Sequence, residues 1–188
     1  IIPFNFFSVA WISGTMSVYG NAGLVKKVIL PREVLPISTV LANCIHFLIQ
    51  IALLFSVVLL AGYPVNRYWV LLPAVFGLEV VFVCGLSLIS SALDVYFRDI
   101  RYVVESANTV LFWLVPIFYD YSSVPYQYHE LYAYNPIAAV VLACRNILYE
   151  AQAPPPTLLY KLLLVSALFL VAGLLVFGRL KRKFADYL

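Results

Sequence analysis

The chain has 188 residues, of which 64% are hydrophobic and 11% charged, and its mean hydropathy is +0.96. A soluble domain is about half apolar and about one quarter charged, so this composition excludes a soluble enzyme, a disordered chain and a disulfide-rich secreted domain. The formal net charge of +3 says little as a total and more through its distribution.

What remains is an all-α polytopic membrane protein. The apolar residues come in long unbroken runs, whereas a transmembrane barrel alternates them with polar ones. A helical span takes about 20 residues, and five candidates follow in chain order: 3–20, 34–61, 68–92, 103–119 and 157–178. The first carries Asn5, Ser8, Ser13, Thr15 and Ser17, which marks it as polar-lined or as the tail of a span. The fourth is short and contains Pro116, which kinks or ends it. The chain opens Ile1-Ile2-Pro3, with no initiator Met and no basic leader. It is therefore expected to be the interior of a longer protein, with one further span before residue 1 and six in all.

The loop 21–33 reads N-A-G-L-V-K-K-V-I-L-P-R-E. Leu24, Val25, Val28 and Ile29 are expected on one face of a short helix, with Lys26 and Lys27 on another and Pro31 as its stop. Such a helix either anchors on the membrane surface or docks into a soluble partner, and both readings stand. The stretch 92–101 mixes Asp94, Arg98, Asp99 and Arg101 at a helix end, where internal salt bridges and bridging to a partner are both open. Loops 21–33 and 93–102 and the tail 179–188, with Arg179, Lys181, Arg182 and Lys183, hold nine of the twelve basic residues. The positive-inside rule places all three, and so the C-terminus, in the cytoplasm.

The segment 120–156 is too long for a hairpin. Asn135-Pro136 suits a helix start, with Asn as N-cap and Pro at the first helical position. The run 137–149 is apolar apart from Arg145 and Asn146, and its thirteen residues cannot cross a bilayer. A re-entrant or interfacial helix on the outer face is expected, with a second short helix over Pro125 to Tyr132 before it and Thr157 capping the last span. Six of the fourteen tyrosines (Tyr119, Tyr121, Tyr126, Tyr128, Tyr132 and Tyr134) fall in 119–134. They form either an interfacial aromatic belt or a gate of rings over a pore mouth.

Few residues suggest chemistry. Glu79 lies near the middle of the third span, where a carboxylate is costly and usually faces the bundle interior or water. It is a lining of a polar path, a protonation switch or a structural acid. His46 fits a helix–helix hydrogen bond better than a ligand role. His129-Glu130 lacks the second His of H-E-x-x-H, since Ala133 stands there, so no metal site is expected. Cys44, Cys84 and Cys144 read as small buried hydrophobes. No G-x-x-x-x-G-K-[ST] phosphate loop occurs, and no catalytic set is expected.

Taken together, N-A-G-L-V-K-K-V-I-L-P-R-E-V-L-P, A-L-D-V-Y-F-R-D-I-R, F-W-L-V-P-I-F-Y, Y-N-P and the basic tail K-R-K-F-A-D-Y-L resemble the permease subunit of polysaccharide-exporting ABC transporters. These are the O-antigen, capsule and teichoic acid exporters of the ABC-2 class. The likeness runs over nearly the whole chain in order and spacing. The family's first membrane helix and N-terminal amphipathic helix have no counterpart in this sequence. The resemblance implies six spans per subunit, a homodimer and two copies of a separate ATPase that binds the ATP and Mg. It implies no cofactor on this chain, a lipid-linked polysaccharide substrate, no nucleic-acid partner and a place in the bacterial cytoplasmic membrane. It makes 21–33 the coupling helix, with Leu24, Val25, Lys26, Lys27, Val28, Ile29, Arg32 and Glu33 joined by Arg98 and Asp99 at the ATPase. It makes 120–156 an outer gate, in which the six tyrosines, Asn135 and Arg145 join Glu79 along the path.

Three rivals stay open, one of them a non-transporting scaffold subunit. An ABC-2 exporter of drugs or small lipids shares the fold. A membrane-embedded enzyme on lipid-linked sugars requires convergent acids, for which Glu33, Asp94, Asp99 and Glu105 are the candidates. Each has an Arg nearby in sequence, which favours structural pairing.

Overall fold

The computed structural model describes residues 1–27, 31–62, 65–117, 119, 127, 132 and 134–187. Among these, every regular element is a helix. In chain order they are α1 (Ile2–Gly20), α2 (Ala22–Lys27), α3 (Val34–Leu60), a 3-10 turn (Arg67–Leu71) running into α4 (Leu72–Tyr96), α5 (Ile100–Leu114), α6 (Pro136–Leu148), α7 (Pro156–Leu180), a second 3-10 turn (Lys181–Lys183) and α8 (Phe184–Tyr187).

Among the described residues, three stretches are long and apolar enough to cross a membrane: Val34–Leu60, Arg67–Tyr96 and Pro156–Lys183. With 19 residues, α1 has nearly the length of a span but also the polar residues noted above. With 15 residues, α5 rises only about 22 Å at 1.5 Å per residue. It starts three residues before the expected 103 and stops at Leu114, not 119. The cause is local. Pro116 pushes its predecessor out of the α region, and Val115 is extended at φ −80° and ψ 133°.

The core lies around α4, which packs against α1, α3, α5, α6 and α7. Half of its most apolar window is buried, against 11% for α3 and 17% for α7. Leu48 and Leu53 of α3 and Leu168 of α7 therefore point outward, a surface suited to lipid or protein and not to water. Small residues set the closest approaches. A Cβ on Gly85 would lie 2.5 Å from the Phe169 carbonyl oxygen, and one on Gly173 would lie 2.5 Å from the Gly85 carbonyl oxygen. On the other side of α4, a Cβ on Gly14 would lie 2.7 Å from Ser87 Cβ. Near this crossing Thr15 and Ser90 share a hydroxyl–hydroxyl bond of 2.7 Å. A ladder of rings, Phe6–Phe47, Phe47–Phe76, Phe7–Phe82 and Phe82–Phe169, fills the layer between helices.

Asn135 caps α6 as its sequence position suggests, its Oδ1 accepting from the backbone N–H of Ile137 and of Ala138. Thr157 does not cap α7. Pro155 is the N-cap residue there and Pro156 opens the helix, since the fixed φ of proline suits the first turn and no donor is lost. The expected helix over Pro125 to Tyr132 lies outside the described residues except at Gln127 and Tyr132.

Candidate functional site

The three basic segments meet at one end of the bundle. The α1–α2 and α4–α5 connections join there through arginines. The guanidinium groups of Arg98 and Arg101 lie 5.3 and 5.5 Å from the centre of the Tyr19 ring, a distance at which a cation is attracted by the ring face. Arg101 also forms an ion pair with Asp94, Nε to Oδ1 3.8 Å, while the Asp94 side chain is fully buried. Asp99 is exposed and stands before α5 without a side-chain cap bond.

The helix expected over 21–33 is formed over Ala22–Lys27. Val28 and Ile29 lie outside the described residues, and Lys26 and Lys27 occupy its last turn. Leu24 and Val25 do not share a face as expected. Leu24 is 45% exposed, whereas Val25 is 8% exposed and packs with Val18, Ala92, Val95 and Phe184. Neighbouring residues on a helix are rotated by about 100°, and entry of Val25 into this cluster decides which one turns inward.

Arg32 and Glu33 also turn toward the chain itself. Arg32 Nη1 donates to the Lys181 carbonyl oxygen at 2.5 Å, and Lys181 Nζ donates to Glu33 Oε1 at 2.8 Å. The Lys181 ammonium holds the Glu33 carboxyl below the usual carboxylate range, against the smaller opposing effect of partial burial. Tyr96 Oη donates to the Leu180 carbonyl oxygen at 2.8 Å. Nothing in the amino-acid sequence singles out Tyr19, Tyr96 or Phe184 as site residues. Their signal was limited to aromatics placed beside basic residues at helix ends.

Inside the bundle, Glu79 is 1% exposed, and neither carboxyl oxygen has a hydrogen-bond partner among the described residues. It is enclosed by this chain's own helices. No group of three His, Cys, Asp or Glu side chains gathers as a metal site among the described residues.

At the opposite end, α6 packs on Leu72 and Val75 of α4 and on Leu158 and Leu162 of α7. Asn66 Nδ2 donates to the Ile147 carbonyl oxygen at 2.7 Å, tying the α3–α4 connection to the end of α6. Tyr119 Oη donates to the Leu114 carbonyl oxygen at 2.8 Å and lies 2.9 Å from Tyr132 Oη. With the Tyr119 proton so engaged, Tyr132 is the donor to Tyr119. The Tyr134 ring lies under the Lys161 ammonium, 4.4 Å from its centre. Arg145 borders a cavity of about 680 Å³ with Leu54, Val141 and Leu148. Tyr121, Tyr126 and Tyr128 lie outside the described residues.

No family model matches the chain. Comparison with curated proteins finds the O-antigen export system permease protein RfbA of Klebsiella pneumoniae, 29% identical over 193 residues, covering 100% of this chain and 73% of that protein. The protein of the same name from Myxococcus xanthus is 27% identical over 188 residues, covering 99% and 72%. The polysialic acid transport protein KpsM of Escherichia coli is 26% identical over 182 residues, covering 94% and 69%. The chain is similar over nearly its whole length to polysaccharide-export permeases. The geometry of the chain distinguishes two ends. One is basic, with a short helix whose Val25 enters a buried cluster. The other is rich in tyrosine, with α6 seated on the first turns of α4 and α7.

Proposed function

We infer that the chain is the membrane-spanning permease subunit of an ATP-driven exporter that moves lipid-linked polysaccharide across the bacterial cytoplasmic membrane. The observation that carries this reading is the similarity to O-antigen export permeases over the whole length of the chain. The three long apolar helices agree with it. In this reading ATP and Mg are bound by a separate ATPase, two copies of which serve a permease homodimer. The positive-inside rule supports a cytoplasmic placement for the basic end and the C-terminus. Five spans cross here, α1 and α5 included, and six cross in the full protein. The length of α6, 13 residues, supports a helix that enters and leaves on the outer face. Its neighbours Tyr119, Tyr132 and Tyr134, with Asn135 and Arg145, then sit at the exit. Exposed Leu24, with Lys26, Lys27, Arg98 and Asp99, forms the ATPase-facing surface.

The test is deletion and complementation in the source organism. Loss of the full-length protein is expected to remove the surface polysaccharide and leave it inside the cell. An ATPase is expected to co-purify with the tagged permease. Unchanged surface polysaccharide in the deletion strain overturns the reading.

A further inference from the structure

Helix ends leave up to four carbonyl groups without intrahelical partners. The last carbonyls of α7 find theirs on two distant elements: Leu180 on Tyr96 at the end of α4, and Lys181 on Arg32 just before α3. The next residues continue the attachment. Lys181 pairs with Glu33 at 2.8 Å. Phe184 is fully buried, its ring centre 5.4 Å from Phe177 of α7 and 6.1 Å from Tyr96, with the Arg32 guanidinium 6.0 Å away over its face. Tyr187 adds a second ring against Tyr96 at 4.6 Å. Val25 of α2 belongs to the same buried cluster as Phe184.

A tail that served only to hold positive charge at the membrane surface needs no buried aromatic and no directed bonds to helix-end carbonyls. This tail has both, and they converge on the residues that follow α2. We propose that Lys181–Tyr187 is a clamp, with Arg32, Glu33, Tyr96 and Phe184 as positioning residues that link movement of α2 to the ends of α4 and α7. Arg32 and Glu33 then transmit force within the subunit and do not face the ATPase. The proposal rests on the exporter reading for its purpose and on the geometry of this chain for its existence.

The experiment uses the full-length permease with its co-purified ATPase, in vesicles of phosphatidylethanolamine and phosphatidylglycerol. Cys44, Cys84 and Cys144 are replaced by Ala, and spin labels are placed through Gly23→Cys on α2 and Arg179→Cys on α7. Labelled subunits are diluted with unlabelled ones, so that only the intramolecular distance is read. A single narrow distance is expected in this background, and Arg32→Ala, Phe184→Ala and Tyr96→Phe should each broaden it. Tyr96→Phe removes only one hydroxyl and guards against misfolding in the other two. In cells, the same variants should keep ATP hydrolysis within about twofold while surface polysaccharide delivered per ATP falls about fivefold or more, the lower end of ordinary coupling between sites. Glu33→Lys should show the same loss, and adding Lys181→Glu should recover it, which a merely destabilised tail would not do. A distance distribution unchanged in all three variants overturns the clamp. Normal export per ATP in variants with a broadened distance overturns its role in coupling. Failure of any ATPase to associate with the wild-type permease overturns the exporter reading instead, and the label distance still decides the clamp.

Discussion

Glu79 and Glu33 are both acids of a largely apolar chain, and their surroundings treat them differently. Glu79 is enclosed without a hydrogen bond among the described residues, and an unsatisfied buried polar group costs about 1–3 kcal/mol. Replacing it by an apolar side chain of similar volume removes that cost. Glu79→Met is therefore expected to raise stability by about 1 kcal/mol, read as a higher midpoint of thermal unfolding in detergent. A lower midpoint would reveal a partner for the carboxyl in the assembled protein. Glu33 is partly exposed and paired with Lys181. Its folded-state pKa is lowered, so its contribution is present above its unfolded-state value and lost as pH falls through the folded one. The difference in unfolding midpoint between wild type and Glu33→Gln should be present at neutral pH. It should disappear on acidification below the ordinary Glu value of about 4.3. Partial exposure keeps the effect below about 1 kcal/mol.

At the scale of elements, the crossing of α4 with α7 depends on two glycines, each facing the backbone of the other helix. A methyl group on Gly85 would meet the main chain of Phe169 and Leu170, which cannot rotate away as a side chain could. Gly85→Ala is expected to cost about 1–3 kcal/mol through forced separation of the helices. Gly77→Ala, with open space around its Cβ position, serves as the control and should gain slightly from higher helix propensity. Unfolding midpoints of the two variants check this directly. A further consequence is that α4 cannot shift relative to α7 at that level without losing the contact, so movement between them favours the helix ends.

At the scale of the whole molecule, the bundle has a basic end and a tyrosine-rich end, and topology follows from which end faces the cytoplasm. Tags inserted after Val65 and after Gln152, both exposed, should report the outer face. Tags after Asn21 and at the C-terminus should report the cytoplasm. Accessibility to membrane-impermeant reagents in intact cells measures this. A cytoplasmic signal at 152 would mean that the segment 120–156 crosses the membrane, and both the gate assignment and the count of five spans would fall.

Features under the control of short-range forces are legible in the amino-acid order. Composition pointed to a membrane, Pro116 marked a kink or an end in the fourth span, and Asn135-Pro136 marked the start of α6. Each rests on backbone or solvation preferences acting within a few residues. The tertiary structure alone decided which side chains of the basic end face inward. Arg32 meets Lys181 at a separation of 149 residues, and Tyr96 meets Leu180 at 84. Likewise, the periodic pattern put Leu24 and Val25 on one face, and burial of Val25 in the cluster around Phe184 separated them. Periodicity assigns residues to a helix but does not say which neighbour the helix will meet. That choice is fixed only when Gly14, Gly85 and Gly173 let three helices approach closely enough for their ends to share one cluster.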